Sequence, residues 1–600
     1  MARWGITGAS VAFGWQGRVV YARAFGYADP ARTEPLQPYH LLRVASVSKC
    51  ITAMAVMKLV EEGRLNLPGK VFGPQGYLRS PYYTQAINDT RLYDITVQQL
   101  LEHSAGWDRS RGCDGRPGCD PIDFPLYVAH VLNAPNPVGD STLVRYLLTK
   151  GLNYAPGTHY AYSNVGYLVL GKLVEAITGQ SYEAWVRQHL LEPAGAREAH
   201  LGHNLPTERL EREAAYDSHD QALACDGSGR LVPMAYGGFN LEAMGSHGGW
   251  VCSARALVQL LLAADGTPGR PGLLAPGTLA AMAQPSAASP GYAKGWRVNP
   301  AGNRWHSGEM DGTGAYVVHT AGGYSWAILL NTRPVTAAAW EELDHLGWIG
   351  AQAPTLLPTH NLQPPTQNAT ALTAEAGAAG VLLHWTPGTG TRRLVLLRAD
   401  RPVDAFPADG TRYTAAVGQG PTLGPDTYVT DVAADTVRLQ PLDPHRTYYV
   451  RMVEYIDDVA TGQWPVYLLE GNPTLVLPAT SAAVAVGPYP STAHQKQAVA
   501  GSKLPLAQAG SSQARRSGVL VPGRTIPLAV LPSGRYFGRF PLPNWPSFRR
   551  FVKNLRHPRA NFRGPLVWKQ AELRSKCYLY SFSGTTGKQP ATATASTPAP

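Results

Sequence analysis

Between Ser46 and Glu62 the chain contains no Gly or Pro, and it is apolar nearly all round until Lys58, with Gly63 as the stop. A helix without a polar face must be covered on every side, so this stretch predicts a buried central helix. One residue breaks the pattern. Lys49 sits one helical turn after Ser46, on the same face, at the head of a segment that has no other charge before Lys58. A lysine at the start of a core helix needs a reason.

The chain has the bulk to bury such a helix. Its 600 residues are 44% apolar and 16% charged, room for about three to five units and a large core. That excludes a wholly disordered protein, and no uncharged apolar run approaches the ~18–20 residues needed to span a bilayer. The net charge of +11 is a property of one region. Residues 501–600 hold 16 Lys/Arg and a single acid, Glu572, which leaves residues 1–500 with 37 bases against 41 acids. A mildly acidic body gives no footing for nucleic acid or an anionic membrane.

Six cysteines are present, with no CxxC pair and no spacing that reads as a zinc site. No HExxH and no carboxylate cluster suggests a metal enzyme, and no cofactor is expected. Cys113 and Cys119 bracket DGRPG, a turn-rich stretch able to close a short disulfide loop; a reduced pair fits the sequence equally well. The opening MARWGITGASVAFGW lacks an apolar h-region and is not read as a signal peptide.

Along the chain, GASVAFGW and RVVYARAFGY predict a hairpin turning at Gln16-Gly17. Thr96, Ser181 and Ser253 stand where helix caps are expected, and Gly179 closes a helix over 165–178. From Gly295 the texture changes to strands (GWRVN, RWHSG, AYVVHT, SWAILLNT), followed by a helix near 336–348. Strands at both ends with helices between them predict an α+β domain over 1–350, an antiparallel sheet flanked by helices beside an all-helical region. Residues 351–371 read as a Pro/Thr/Gln-rich linker. Residues 372–478 read as a β-sandwich of short strands, with Trp385 placed as a core residue. There Leu442, Asp443 and Pro444 followed by Tyr448 resemble the tyrosine corner of fibronectin type III domains. Residues 479–600 are compositionally biased and basic, with disorder the default expectation.

Three short motifs carry chemistry. Ser46-Val47-Ser48-Lys49 offers a nucleophile at a helix start, where backbone N–H groups favour an oxyanion, and a lysine that burial can render neutral. Tyr162-Ser163-Asn164 enters the 165–178 helix; a tyrosine hydroxyl can relay a proton, and an asparagine amide can orient a substrate amide or Lys49. His306-Ser307-Gly308 lies on a predicted strand between Trp305 and Glu309, and its glycine would let a substrate backbone lie along the strand edge.

SVSK, YSN and HSG, in that order, resemble the SxxK, YxN and KTG/HTG motifs of the class C β-lactamase-like serine hydrolases, a group that includes penicillin-binding DD-peptidases, D-aminopeptidases and related esterases. FGYAD, ITVQQLLEHSAGW, YAPGTHYAYSNVGYLVLG and HGGWVCSARAL look equally familiar, and the resemblance covers about residues 5–350. It implies a β-lactamase/transpeptidase-like fold. Ser46 would be the acylated nucleophile, Lys49 its base and Tyr162 the proton relay. Asn164, His306, Ser307 and Gly308 would bind substrate, with the N–H groups of Ser46 and Glu309 as the oxyanion hole. The class A pattern fails, because the second motif is YSN and not SDN. No GxSxG is present for an α/β-hydrolase elbow.

The expected activity is acyl transfer from an amide or ester, a D-amino-acid peptide or small ester being favoured, with a class C-like β-lactamase as the alternative. A catalytically inactive penicillin-binding-like receptor, or a binding protein working through the sandwich by protein or polysaccharide contact, is the alternative of another class. The family implies an extracytoplasmic location, which this sequence does not encode. His103 is expected to bond helix-terminal carbonyls and His247 to serve loop structure. Tail segments such as RYFGRF interleave Arg with aromatics, as single-strand nucleic-acid binders do, but the acidic body argues against that partner.

Overall fold

A computed structural model describes residues 1–266, 271–358, 360–377, 380–413, 422–439, 442–457 and 464–479. The basic segment expected to be disordered therefore lies outside the described residues. The N-terminal hairpin forms as β1 (Gly8–Trp15) and β2 (Arg18–Gly26), turning through Gln16 and Gly17, both at positive φ. This two-residue turn matches the strands' right-handed twist. Strands β3 (Arg297–Val298), β4 (Arg304–Met310), β5 (Thr313–His319) and β6 (Ser325–Leu330) complete one antiparallel sheet in the order β2-β1-β6-β5-β4-β3.

Helix α1 (Ser48–Glu61) is the buried helix that the sequence demands, with every side chain from Ser48 to Met57 buried. Against it packs α2 (Asn164–Thr178), capped by the Ser163 hydroxyl and closed by Gly179 at φ 73°. Helix α3 (Ala254–Asp265), capped by Ser253, covers the inner face of β1 and β6. The outer face carries α4 (Ala337–Gln352); its Gly347 leaves room for Trp326, which a Cβ would meet at 2.1 Å. Among the described residues no helix is long and apolar enough to cross a membrane.

Residues 370–477 form two facing sheets. One runs β7 (Thr370–Gly377), β8 (Gly380–Thr386) and β12 (Thr436–Leu439). The other runs β10 (Thr422–Leu423), β11 (Thr427–Val432), β9 (Arg392–Ala399), β13 (Tyr448–Ile456) and β14 (Val466–Tyr467), with β15 (Thr474–Leu477) also on β13. Trp385 is buried between them.

The segment read as a linker is packed down. Leu362 is buried and its N–H bonds the Val19 carbonyl at 2.8 Å. Ion pairs then join the sheets to the first 350 residues. Glu198, buried, holds Arg212 at 2.8 Å and Arg255 at 3.0 Å; Arg212 reaches Glu470 at 2.8 Å and Arg255 binds Asp409. Sequence composition could not foresee this, because each partner lies some 150–260 positions away.

Candidate active site

The site is assembled where α1, α2 and β4 meet. Ser46 lies in a 3-10 turn, Ala45–Val47, that leads into α1, and its hydroxyl caps no backbone N–H. Ala45 takes φ 46°, a left-handed conformation that a residue with a Cβ holds only where its surroundings impose it. Gly308 supplies part of that imposition. A Cβ there would meet the Val44 carbonyl at 2.2 Å and the Ser46 nitrogen at 3.1 Å. The missing side chain of Gly308 lets β4 press against the serine turn.

Lys49 is fully buried. Its Nζ lies 3.1 Å from Ser46 Oγ, 2.8 Å from Asn164 Oδ1 and 2.9 Å from the His247 carbonyl. Burial drives its pKa well below the usual lysine range, opposed by the charge of Asp120. A neutral amine has two hydrogens and one lone pair. The His247 carbonyl and Asn164 Oδ1 can only accept, so they take both hydrogens and leave the lone pair facing the Ser46 hydroxyl. Asn164 has no choice of orientation, because its Nδ2 donates to Asp120 Oδ2 at 2.8 Å.

Tyr162 hydrogen-bonds Ser46, and burial raises its phenol well above the ordinary value, so it stays protonated at neutral pH. Its ring leans on His103, with centroids 4.3 Å apart. His103 does not bond helix-terminal carbonyls as expected. It sits at φ 56°, and its Nδ1 accepts the Ser163 N–H at 3.1 Å, fixing the segment that carries Tyr162 and Asn164. His247 contributes its backbone carbonyl to Lys49 and is buried beside the cleft.

His306 is also buried. Its Nδ1 lies 2.7 Å from the Ser307 carbonyl, which can only accept, so the ring proton is there; Nε2 then accepts from the Tyr292 hydroxyl at 3.1 Å. Burial, with Lys49 and Arg297 nearby, lowers its pKa to about 3. The neutral ring spends both nitrogens inside the protein and offers no charge to a substrate. Beyond Trp305, β4 has left its pairing with β3, and Ser307 and Glu309 line the cleft.

The cleft measures about 640 Å³. Ser46 and Tyr162 open onto it with Arg109, Arg297, Ile122 and Phe239. Cys113 and Cys119 form a disulfide that closes the loop just ahead of Asp120. No group of three metal-ligating side chains occurs among the described residues. Sequence reasoning missed Asp120, Tyr292 and Arg297. Only Asp120 left any trace, in its place directly after the cysteine loop.

Residues 1–347 match the family model described as Beta-lactamase, more than half of the chain. The chain belongs to the beta-lactamase family. Members of this family are serine hydrolases. Protein flp of Staphylococcus aureus (strain MW2) is 31% identical over 188 residues, 31% of this chain and 33% of flp. Penicillin-binding protein 4* of Bacillus subtilis (strain 168) is 27% identical over 211 residues, 34% of this chain and 41% of that protein. The chain thus spans about a third to two fifths of the length of these curated relatives. A penicillin binding protein from Bacillus halodurans aligns in structure with 17% identity and a TM-score of 0.44, over 58% of this chain and 98% of that one.

Proposed function

We propose that this beta-lactamase family chain hydrolyses an uncharged ester or amide through an acyl-enzyme on Ser46. The Lys49 lone pair, left facing Ser46 by the two fixed acceptors, carries this reading. Lys49 takes the Ser46 proton as Oγ attacks the carbonyl. The N–H groups of Ser46 and Glu309 receive the oxyanion, and the Tyr162 phenol passes a proton to the leaving group. Water then attacks the acyl-serine by the reverse relay. Asn164 serves Lys49 more than the substrate, since both ends of its amide are engaged. Small esters and D-amino-acid amides or peptides fit a third motif whose histidine carries no charge.

A second reading, a β-lactamase, is favoured by one observation. Arg297 lines the same cleft, close enough to depress the His306 pKa, and offers a permanent cation to a substrate carboxylate. Assays of p-nitrophenyl esters, D-amino-acid anilides and nitrocefin with the wild type and Arg297→Gln separate the two. Neutral substrates should lead and be indifferent to the substitution; nitrocefin turnover that exceeds them and collapses in Arg297→Gln would favour the lactamase.

For the rest of the chain we propose the boundaries 1–350, 351–371 and 372–478, the last a fibronectin type III-like module serving protein or polysaccharide contact. Its three-plus-six strand arrangement and the bond from the Asp443 N–H to the Tyr448 hydroxyl at 3.2 Å support this.

A further inference from the structure

The base in this site depends on the orientation of one amide. Rotating the Asn164 amide end for end would turn its NH₂ toward Lys49, and that amine would then have to accept from it with the lone pair needed by Ser46. What prevents the rotation is the group behind Asn164. Asp120 is buried, and its Oδ2 lies 2.8 Å from Asn164 Nδ2. A carboxylate only accepts, so it fixes NH₂ toward itself and Oδ1 toward Lys49. Asp120 is in turn held in place. Arg109 Nε stands 3.6 Å from its Oδ2, the Ile122 N–H bonds it, and the neighbouring Cys119 is tied by the disulfide and by its N–H to the Arg109 carbonyl at 3.0 Å.

Taking the Ser46–Lys49 reading as its basis, we propose that Asp120 is a positioning residue for this hydrolase. Through the Asn164 amide it aims the Lys49 lone pair at Ser46, and it supplies the buried negative charge that Lys49 needs once it has taken the serine proton. Among the described residues, Asp120 is the carboxylate whose charge acts on Lys49. Of the remaining groups around Lys49, Arg109 is a cation, the buried His103, His247 and His306 are held neutral, and burial keeps Tyr162 and Cys50 protonated.

The test is a double-mutant cycle on the full chain, with a p-nitrophenyl ester as substrate and thermal melts as the folding control. Asp120→Asn should lower kcat/KM about 10–10²-fold. It should also move the acid limb of the pH profile to lower pH by about one unit, because losing the anion makes Lys49 easier to deprotonate. In an Asn164→Ala background the same substitution should cost clearly less, because the positioning through the amide is already gone and only the charge contribution to Lys49 remains to be lost. Asp120→Ser, equally uncharged, replaces it if Asp120→Asn does not fold, with the same expectations. A wild-type rate and limb, or an equal loss in both backgrounds, overturns the role of Asp120. If Ser46→Ala and Lys49→Ala retain activity, it is instead the underlying nucleophile assignment that fails.

Discussion

Among the described residues two serine hydroxyls are hydrogen-bonded to an amine or imidazole nitrogen, and the less promising pair is the better placed one. Ser325 Oγ lies 2.8 Å from His319 Nδ1, and His319 Nε2 lies 2.6 Å from Asp265 Oδ2. Those distances suit a Ser-His-Asp triad. Yet Ser325 is 0% exposed, on β6 between Gly14 of β1 and His319 of β5. The end of the chain nearest water is the Asp265 carboxylate, so the triad is inverted and its hydroxyl can meet no substrate. Ser46 has a looser 3.1 Å contact to Lys49, but it is partly exposed at the floor of the cleft, with backbone N–H groups at its side. Hydrogen-bond length alone does not identify a nucleophile; access and a place for the oxyanion do.

The sharpest way to break the comparison is to delete each hydroxyl. Ser46→Ala should reduce ester kcat/KM at least about 10³-fold, whereas Ser325→Ala should leave it within about threefold; steady-state assays of both decide it. Next in size come Lys49→Ala and Tyr162→Phe, each expected to cost about 10²–10⁴ in rate through lost proton transfer. A mild effect at both would hand the comparison back to another base.

Ending the chain after residue 350 should act on stability. It strips Asp409 and Glu470 from Arg255 and Arg212, leaving two buried cations to share Glu198. Breaking a buried pair costs about 3–5 kcal/mol, so urea unfolding should show a clear loss for residues 1–350.

The pH behaviour sharpens the contrast further. Since the folded His306 pKa is about 3, below the usual 6.5, the unfolded chain binds the extra proton first. Its contribution to stability is therefore fully present above about pH 6.5 and is lost as pH falls toward 3, and His306→Gln should flatten that part of an acid melt series. It also follows that the ratio of rates on anionic and neutral substrates should not change between pH 6 and 8 through His306. Smallest of all, Ser325→Ala should lower stability by about 1–2 kcal/mol by unpairing His319, read from its melting temperature.

What could be read in advance follows the range of each interaction. The hairpin at Gln16-Gly17, the Thr96 and Ser253 caps and the apolar run of α1 are local, and each stands in the structure where the sequence places it. SVSK, YSN and HSG were legible as motifs, and the fold brings them to one cleft. Their states were not legible. The spent nitrogens of His306 depend on Tyr292, and the orientation of Asn164 depends on Asp120, 44 positions earlier. Gly308 was noticed, but only the approach of β4 to the Val44 carbonyl shows why it must be glycine.

The most direct test is to find the acylated residue. The full-length protein is treated with a fluorophosphonate, digested with trypsin and read by mass spectrometry. The adduct should fall on the peptide 44–49 at Ser46, be absent from Ser46→Ala, and be retained in Ser325→Ala. An adduct on Ser325, or unchanged labelling and ester turnover in Ser46→Ala, would contradict the assignment of Ser46 as the nucleophile.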